Sequence, residues 1–370
     1  MAQRVRFLMI GGFLGAGKTT AIARLTQRLI ERGQRVAVVT NDQAYDLVDT
    51  MSLRARGLTV GEVPGACFCC KFDDLVDIAS RLADSEQPDV ILGEPVGSCT
   101  DLVATVIEPL RHLYGEQFET GPFSVLLKPE HGRKILGDQP GAGFSPKAAY
   151  IFLKQIEEAD LVVLNKIDKL SPAERAELID LVAARYPGKE IMAISARHGE
   201  GIDELLAALD RPEPTHTTPQ IDYDVYAEGE AELGWLNATV SLSAGAGGEL
   251  ALDDVARDLV ERLRLACAQA GAEPAHLKVL ASHGPEQSIA NLVSSGEEVE
   301  LSLSSAARVA RCELTINARV AVDPEVLAAL VEAELAALAA SSALESTIER
   351  MQHFRPGRPV PTHRMPIEAR

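Results

Sequence analysis

Over the first 210 residues, short apolar runs alternate with longer stretches of helical period. The runs Val5–Ile10, Arg35–Thr40, Asp89–Leu92, Ser124–Leu127, Leu161–Leu164 and Ile191–Ile194 predict strands. The stretches Thr19–Glu31, Asp73–Ala83, Asp101–Tyr114, Ala173–Ala184 and Ile202–Leu209 repeat apolar positions every three or four residues and predict helices. Such alternation encodes a parallel sheet covered by helices. The unbroken apolar character of the runs fits strands buried on both faces.

After residue 210 the pattern changes. Residues 211–220 are rich in Pro and Thr and read as a linker. Trp235–Ser243 and Arg311–Val322 alternate like half-exposed strands, and Leu252–Ala270 and Pro324–Ala340 read as helices. The expected organisation is an α/β domain over 1–210, a linker over 211–220, a smaller α+β domain over 221–350 and an irregular basic tail over 351–370. The Gly- and Pro-rich stretch 128–146 is expected to be a flexible excursion.

Composition narrows the function. The chain has 370 residues and a formal net charge of −18, which argues against nucleic-acid binding because phosphate recognition needs a basic surface. Between Ile221 and Arg350 lie 22 acidic and 8 basic residues. That acidity suits solubility, or cationic partners and metal ions. Arg4 and Arg6 precede an apolar run from Phe7 to Ala16 that resembles a signal peptide, but the run leads into Gly-Lys-Thr-Thr and not a cleavage site. It reads as a buried strand entering a phosphate loop. No other segment approaches the roughly eighteen apolar residues a membrane span needs, so a cytoplasmic chain without membrane attachment is expected. Whether it self-associates stays open.

Gly12-Phe-Leu-Gly15-Ala16-Gly17-Lys18-Thr19 fits the phosphate-loop pattern G-x-x-x-x-G-K-S/T, after a strand and opening a helix. Glycines let backbone N–H groups wrap a phosphate, and the helix beyond, with Thr20 in its first turn, turns its positive end to the same anion. Lys18 would neutralise phosphate oxygens and the Thr19 hydroxyl would ligate Mg²⁺. Asn165-Lys166-Ile167-Asp168 follows a later strand; its aspartate can accept both N1–H and the exocyclic amine of guanine, a donor pair adenine lacks. Ser195 and Ala196 follow the next strand, where a loop can support the guanine carbonyl. Glu94-Pro-Val-Gly97 ends a strand: the carboxylate can reach Mg²⁺ through water, and the Gly97 N–H can meet a γ-phosphate and relax on hydrolysis. Asp42, ending the second strand, offers another oxygen ligand, although Asn-Asp is also common turn chemistry. The expected fold is thus a P-loop NTPase reading GTP and GDP.

Of six cysteines, three crowd at Cys67, Cys69 and Cys70. Three thiols within four residues can converge on one soft metal ion, with Zn²⁺ the default and Co²⁺, Ni²⁺ or Cu⁺ open. Buried apolar cysteines and a redox dithiol are the alternatives. A helix start near Asp73 and the adjacent Lys71 are expected to lower the thiol pKa values. Cys99, Cys267 and Cys312 read as isolated core cysteines, and His131, His353 and His363 as surface histidines.

Taken together, the phosphate loop, the C-x-C-C at 67–70, the E-x-x-G at 94–97, the N-K-x-D at 165–168 and the Ser195-Ala196 loop resemble the CobW-like metal-centre GTPases over roughly residues 5–209. The resemblance implies GTP hydrolysis coupled to delivery of a metal or metallocofactor to a client metalloprotein. It assigns Lys18, Thr19, Asp42, Glu94, Asn165 and Asp168 to the nucleotide and Cys67, Cys69 and Cys70 to the metal. The chain departs from that family in lacking a His-rich stretch and in reading Leu127-Lys128-Pro129-Glu130 where Val-Asp-Ala is usual. Ser98 follows Gly97 where signalling GTPases place a water-orienting glutamine, so slow intrinsic turnover is expected. A GTP-dependent regulator or adaptor with structural or redox cysteines is the rival reading.

Overall fold

A computed structural model describes residues 4–42, 48–137, 145–211 and 217–366. The chain forms two compact units. One comprises Met1–Gln43, Gly57–Gly229 and Arg358–Arg370, the other Ala44–Arg56 and Glu230–Gly357.

In the first unit, β1 (Val5–Gly12), β2 (Val36–Asp42), β3 (Thr59–Pro64), β4 (Val90–Glu94), β5 (Phe118–Thr120), β6 (Ser124–Leu127), β7 (Leu161–Leu164) and β8 (Glu190–Ala193) form one sheet. Its order is β3-β2-β4-β1-β6-β7-β8, with β5 also beside β1, and every pair is parallel. β4, β6 and β7 are buried at every position, as strands covered on both faces must be. The six strands read from the sequence fall within about two residues of their observed bounds. β3 was missed because it lies at the sheet edge with only Val63 fully buried, so it carries no apolar run.

Helix starts follow local chemistry. Ser171 caps the helix Pro172–Arg185 in a capping box with Glu174, and Ser145 caps Pro146–Glu158 by accepting from two backbone N–H groups. The expected excursion after residue 128 is corrected in part: Pro129–Leu136 is a helix, with Pro129 in its first turn, where a missing N–H costs nothing. Residues 138–144 of that stretch lie outside the described residues. No helix among the described residues is long and apolar enough to cross a membrane.

The second unit holds β9 (Gly234–Ala244), β10 (Leu250–Ala251), β11 (Glu273–His283), β12 (Glu286–Leu292), β13 (Glu300–Leu303), β14 (Arg308–Val309), β15 (Arg311–Ala321) and β16 (Leu344–Phe354). Six of them make an antiparallel sheet in the order β13-β12-β11-β15-β9-β16. Its apolar face packs on the helices Leu252–Gln269 and Pro324–Ser342 around Leu236, Val279, Leu314, Leu259 and Val331.

The other face was expected to be half-exposed, yet Asn237, Thr315, Asn317 and Arg319 are buried there. The short helix Val48–Ala55 supplies part of the cover. Asn317 Oδ1 accepts the Val48 N–H at 2.9 Å, Lys278 pairs with Asp49, and Val48 packs with Leu280 and Ile289. Arg319 lies 3.9 Å over the Trp235 ring, whose other neighbour is Phe354. Asn317 Nδ2 and Arg319 both donate to Asn237 Oδ1, so part of the buried polar set is paired internally.

Candidate functional site

β1 runs into a loop whose glycines take conformations that side chains resist. Gly12, Gly15 and Gly17 have φ of +133°, +72° and +90°. A Cβ on Gly12 would lie 2.3 Å from Leu126 O, and one on Gly17 would lie 2.5 Å from Asn165 Nδ2. The helix Lys18–Glu31 begins directly after, so its unpaired N–H groups face the loop. Lys18 is buried across this loop, with Nζ donating to Gly12 O at 3.0 Å. Thr19 Oγ1 donates to Glu94 Oε1 at 2.8 Å, so a hydroxyl and a carboxylate converge as a hard cation requires. Gly97 stands against the same loop: a Cβ there would be 3.0 Å from Lys18 Nζ. Thr20 is exposed, and the side chain of Asp42 lies outside the described residues.

The loops after β7 and β8 join this loop through Asn165. Its Nδ2 donates to Ala16 O at 2.8 Å, while its Oδ1 accepts from Lys166 N at 2.8 Å and Ala196 N at 3.0 Å. Lys166 takes a left-handed φ of +61° at this turn. Ser195 Oγ donates to Asp168 Oδ1 at 2.6 Å and orients the carboxylate. Arg24 ties the first helix to the same loop by donating to Ala196 O and Arg197 O. The glycine loop, the Asn165–Asp168 turn and the Ser195–Ala196 turn therefore form one polar rim. The loop's backbone N–H groups and the Asp168 carboxylate share it.

Cys67, Cys69 and Cys70 converge: their sulfurs are 2.9 Å (67 to 69), 3.2 Å (67 to 70) and 3.8 Å (69 to 70) apart. The three sulfurs can face one metal ion. Asn41, next to the end of β2, holds their loop: Nδ2 donates to Val63 O and Ala66 O, and Oδ1 accepts the Phe68 N–H at 2.8 Å. The positioning role of Asn41 was not read from the sequence, where Asn-Asp passes for turn chemistry.

The expectation that Lys71 and the helix end lower the thiol pKa values is corrected. Lys71 Nζ turns to Asp74 at 3.0 Å. Cys67 alone is held low, because hydrogen bonds from Cys69, Cys70 and Cys99 stabilise its thiolate. Cys70, hydrogen-bonded to Cys67 and partly desolvated, is pushed up to about 11. One negative charge shared among neighbouring thiols raises the cost of a second. Cys99 is thus not isolated: it is buried and its thiol hydrogen-bonds to Cys67. Two residues beyond Gly97, it could have been noticed only by pairing two distant motifs.

His131 is also not a surface residue. It is buried between Phe13 and Phe152, and burial holds its pKa well down. His353 is exposed on β16, and the His363 ring meets Phe72 edge-on. Cys267 and Cys312 are buried in the core of the second unit.

Residues 6–193 match the CobW/HypB/UreG nucleotide-binding domain. Among characterised proteins, the zinc chaperone YeiR of Escherichia coli is 29% identical over 177 residues, which is 46% of this chain and 49% of that protein. The zinc chaperone CobW of a Sinorhizobium species is 28% identical over 54% of this chain and 61% of its own length. The urease accessory protein UreG of Metallosphaera sedula is 30% identical over 54% of this chain and 90% of its own. The chain thus spans about half to three fifths of the two zinc chaperones and nearly all of UreG. With the domain match covering half of its length, this chain belongs to the CobW/HypB/UreG family of metal-centre P-loop GTPases.

Proposed function

We propose that this chain binds and hydrolyses GTP and carries a transition metal ion at Cys67, Cys69 and Cys70 for transfer to a client metalloprotein. The convergence of three sulfurs within 4.8 Å, in the same unit as the glycine cradle and the Asp168 carboxylate, carries the reading. GTP lies with its phosphates along 12–19 and its base against Asp168, Ser195 and Ala196. Lys18 and the N–H groups of the loop neutralise the β and γ oxygens. Thr19 and Glu94 would hold Mg²⁺, with Asp42 the candidate third oxygen donor; the ion supplies charge neutralisation at the phosphates. Gly97 N–H faces the γ-phosphate position. Because Cys99 and Gly97 sit in one short segment, loss of the γ-phosphate reaches the sulfur cluster. Ser98 offers no amide to orient water, so hydrolysis is slow until a partner or the cargo metal completes the site.

Metal content measured with GTP, GDP and no nucleotide tests this directly. Wild type is expected to hold about one Zn²⁺, Co²⁺ or Ni²⁺ per chain with an affinity that changes with nucleotide. The Cys67→Ser/Cys69→Ser/Cys70→Ser protein is expected to lose that metal and keep its GTP affinity. Equal metal uptake by both proteins would remove the cluster from the function. Gly97→Ala is expected to weaken GTP binding and to cut hydrolysis further, by up to about 10²-fold, because the added methyl would meet Leu14 Cδ2 at 2.8 Å and the Lys18 amine at 3.0 Å. Single-turnover hydrolysis separates the two; an unchanged rate would mean that Gly97 has no part in the chemistry.

A further inference from the structure

The stretch 358–366 belongs to the first unit and runs over the cysteine loop. The Val360 N–H donates to Cys70 Sγ at 3.3 Å. The Thr362 N–H donates to Cys69 O at 2.8 Å, and its hydroxyl to Cys70 O at 3.4 Å. His363 packs edge-on against Phe72, the first residue of the helix after the loop, at 5.1 Å between ring centres. The Met365 N–H donates to Ala104 O at 2.7 Å.

Arg364 anchors this stretch. Its Nε donates to Asp101 Oδ2 at 2.7 Å, and the Tyr223 hydroxyl donates to the same oxygen at 2.6 Å. Asp101 is fully buried and has a φ of +64°, a conformation that residues with a Cβ seldom take. A buried carboxylate needs such partners, so removing Arg364 would leave the Asp101 charge short of one.

The segment that receives Arg364 also faces the phosphate loop. Within 97–104, Gly97 abuts Lys18, the Cys99 thiol bonds to Cys67, Asp101 holds Arg364 and Ala104 holds Met365. Gln155 fixes its start by donating to Gly97 O and Cys99 O, and Glu158 accepts from Thr100 and Val103. One buried segment thus touches the phosphate loop, the sulfurs and the returning tail.

We propose that residues 358–366 are a latch over the sulfur cluster, with Val360 and Arg364 as positioning residues. Val360 fixes the Cys70 sulfur, and Arg364 holds the latch shut as long as segment 97–104 keeps Asp101 in place. A client takes the metal only after displacing the latch, and a shift of Gly97 on hydrolysis loosens its anchor. The metal part rests on the function proposed above; the latch itself does not.

The test uses the full chain as wild type, Arg364→Ala, Arg364→Lys and Val360→Pro. Iodoacetamide alkylation of Cys70 in metal-free protein, followed by peptide mass spectrometry, reads closure without any metal. Loss of Zn²⁺ to excess chelator reads gating, and the sulfur-to-cobalt charge-transfer band of the Co²⁺-loaded protein reads the Val360 contact. Arg364→Ala is expected to speed both alkylation and zinc loss about tenfold, within the usual range of coupling between sites. Arg364→Lys is expected to recover part of the protection. Val360→Pro, which removes the N–H donor and locks the local backbone between Pro359 and Pro361, is expected to move the cobalt band and raise Cys70 alkylation; it serves as the readout if Arg364→Ala does not fold. Wild-type alkylation rates in Arg364→Ala and Val360→Pro would overturn the latch. Faster alkylation in those variants together with no zinc bound by wild type would keep the latch and overturn the metal function.

Discussion

Asp168→Asn is expected to lower GTP affinity by up to about 10⁴-fold while raising affinity for xanthosine triphosphate. Ser195 holds the Asp168 carboxylate by donating to Oδ1 at 2.6 Å, and His198 Nε2 lies 3.9 Å from Oδ2, which leaves acceptor capacity on the carboxylate for a base. Guanine presents two N–H donors to that acceptor. An amide at the same place offers one acceptor and one donor, so a guanine N–H meets an N–H and neither is satisfied. Xanthine has a carbonyl where guanine has its amine, and accepts from the new donor. The phosphate loop is untouched, because it is Asn165 and not Asp168 that bridges Ala16 and Ala196. The two affinities, measured by calorimetry on the same preparation, decide it. Unaltered GTP binding would mean that the base is read elsewhere.

Glu158→Gln is expected to change how stability depends on pH. Glu158 is fully buried; burial pushes its carboxyl up to about 8, with the negative charge of Asp101 adding to the shift, while hydrogen bonds from Val103 and Thr100 oppose it. The native chain therefore keeps a proton that the unfolded chain releases near the ordinary carboxylate value. Stability from this group is present in full below about pH 4.5 and is lost as pH rises toward 8. Between those limits the slope is at most about 1.4 kcal/mol per pH unit. Glutamine cannot ionise, so its stability relative to wild type should rise steadily from pH 5 to 8 in urea titrations. A constant difference across that range would show that Glu158 is already charged in the folded protein.

Each nucleotide motif was legible because it is local: a glycine loop, an N-K-x-D turn and an E-x-x-G strand end declare their chemistry within a few residues. The parallel sheet was legible for the same reason, since each interior strand is a short apolar run. What escaped depends on residues far apart in the chain. Asn41 looks like a turn residue until it is seen holding Val63, Ala66 and Phe68. Cys99 looks like a core cysteine until Cys67 is beside it. Alternation in β9 and β15 predicts a wet face, and only the helix Val48–Ala55, more than 170 residues earlier in the chain than β9, shows why Asn317 is dry. The basic tail, read as irregular from residue 351, is the end of β16 up to Phe354; beyond it the chain makes ordered backbone contacts at Cys69 and Ala104 without being helix or strand.

The chain passes between its two units four times, at 43/44, 56/57, 229/230 and 357/358. No single protease nick can therefore free one unit from the other. An isolated fragment ending at residue 210 would strip the strands from beneath Val48–Ala55 and would also lose Tyr223 and Arg364. Dissecting this protein by truncation would thus report on an injured nucleotide unit; paired cuts, or point variants at the crossings, are the sounder tools.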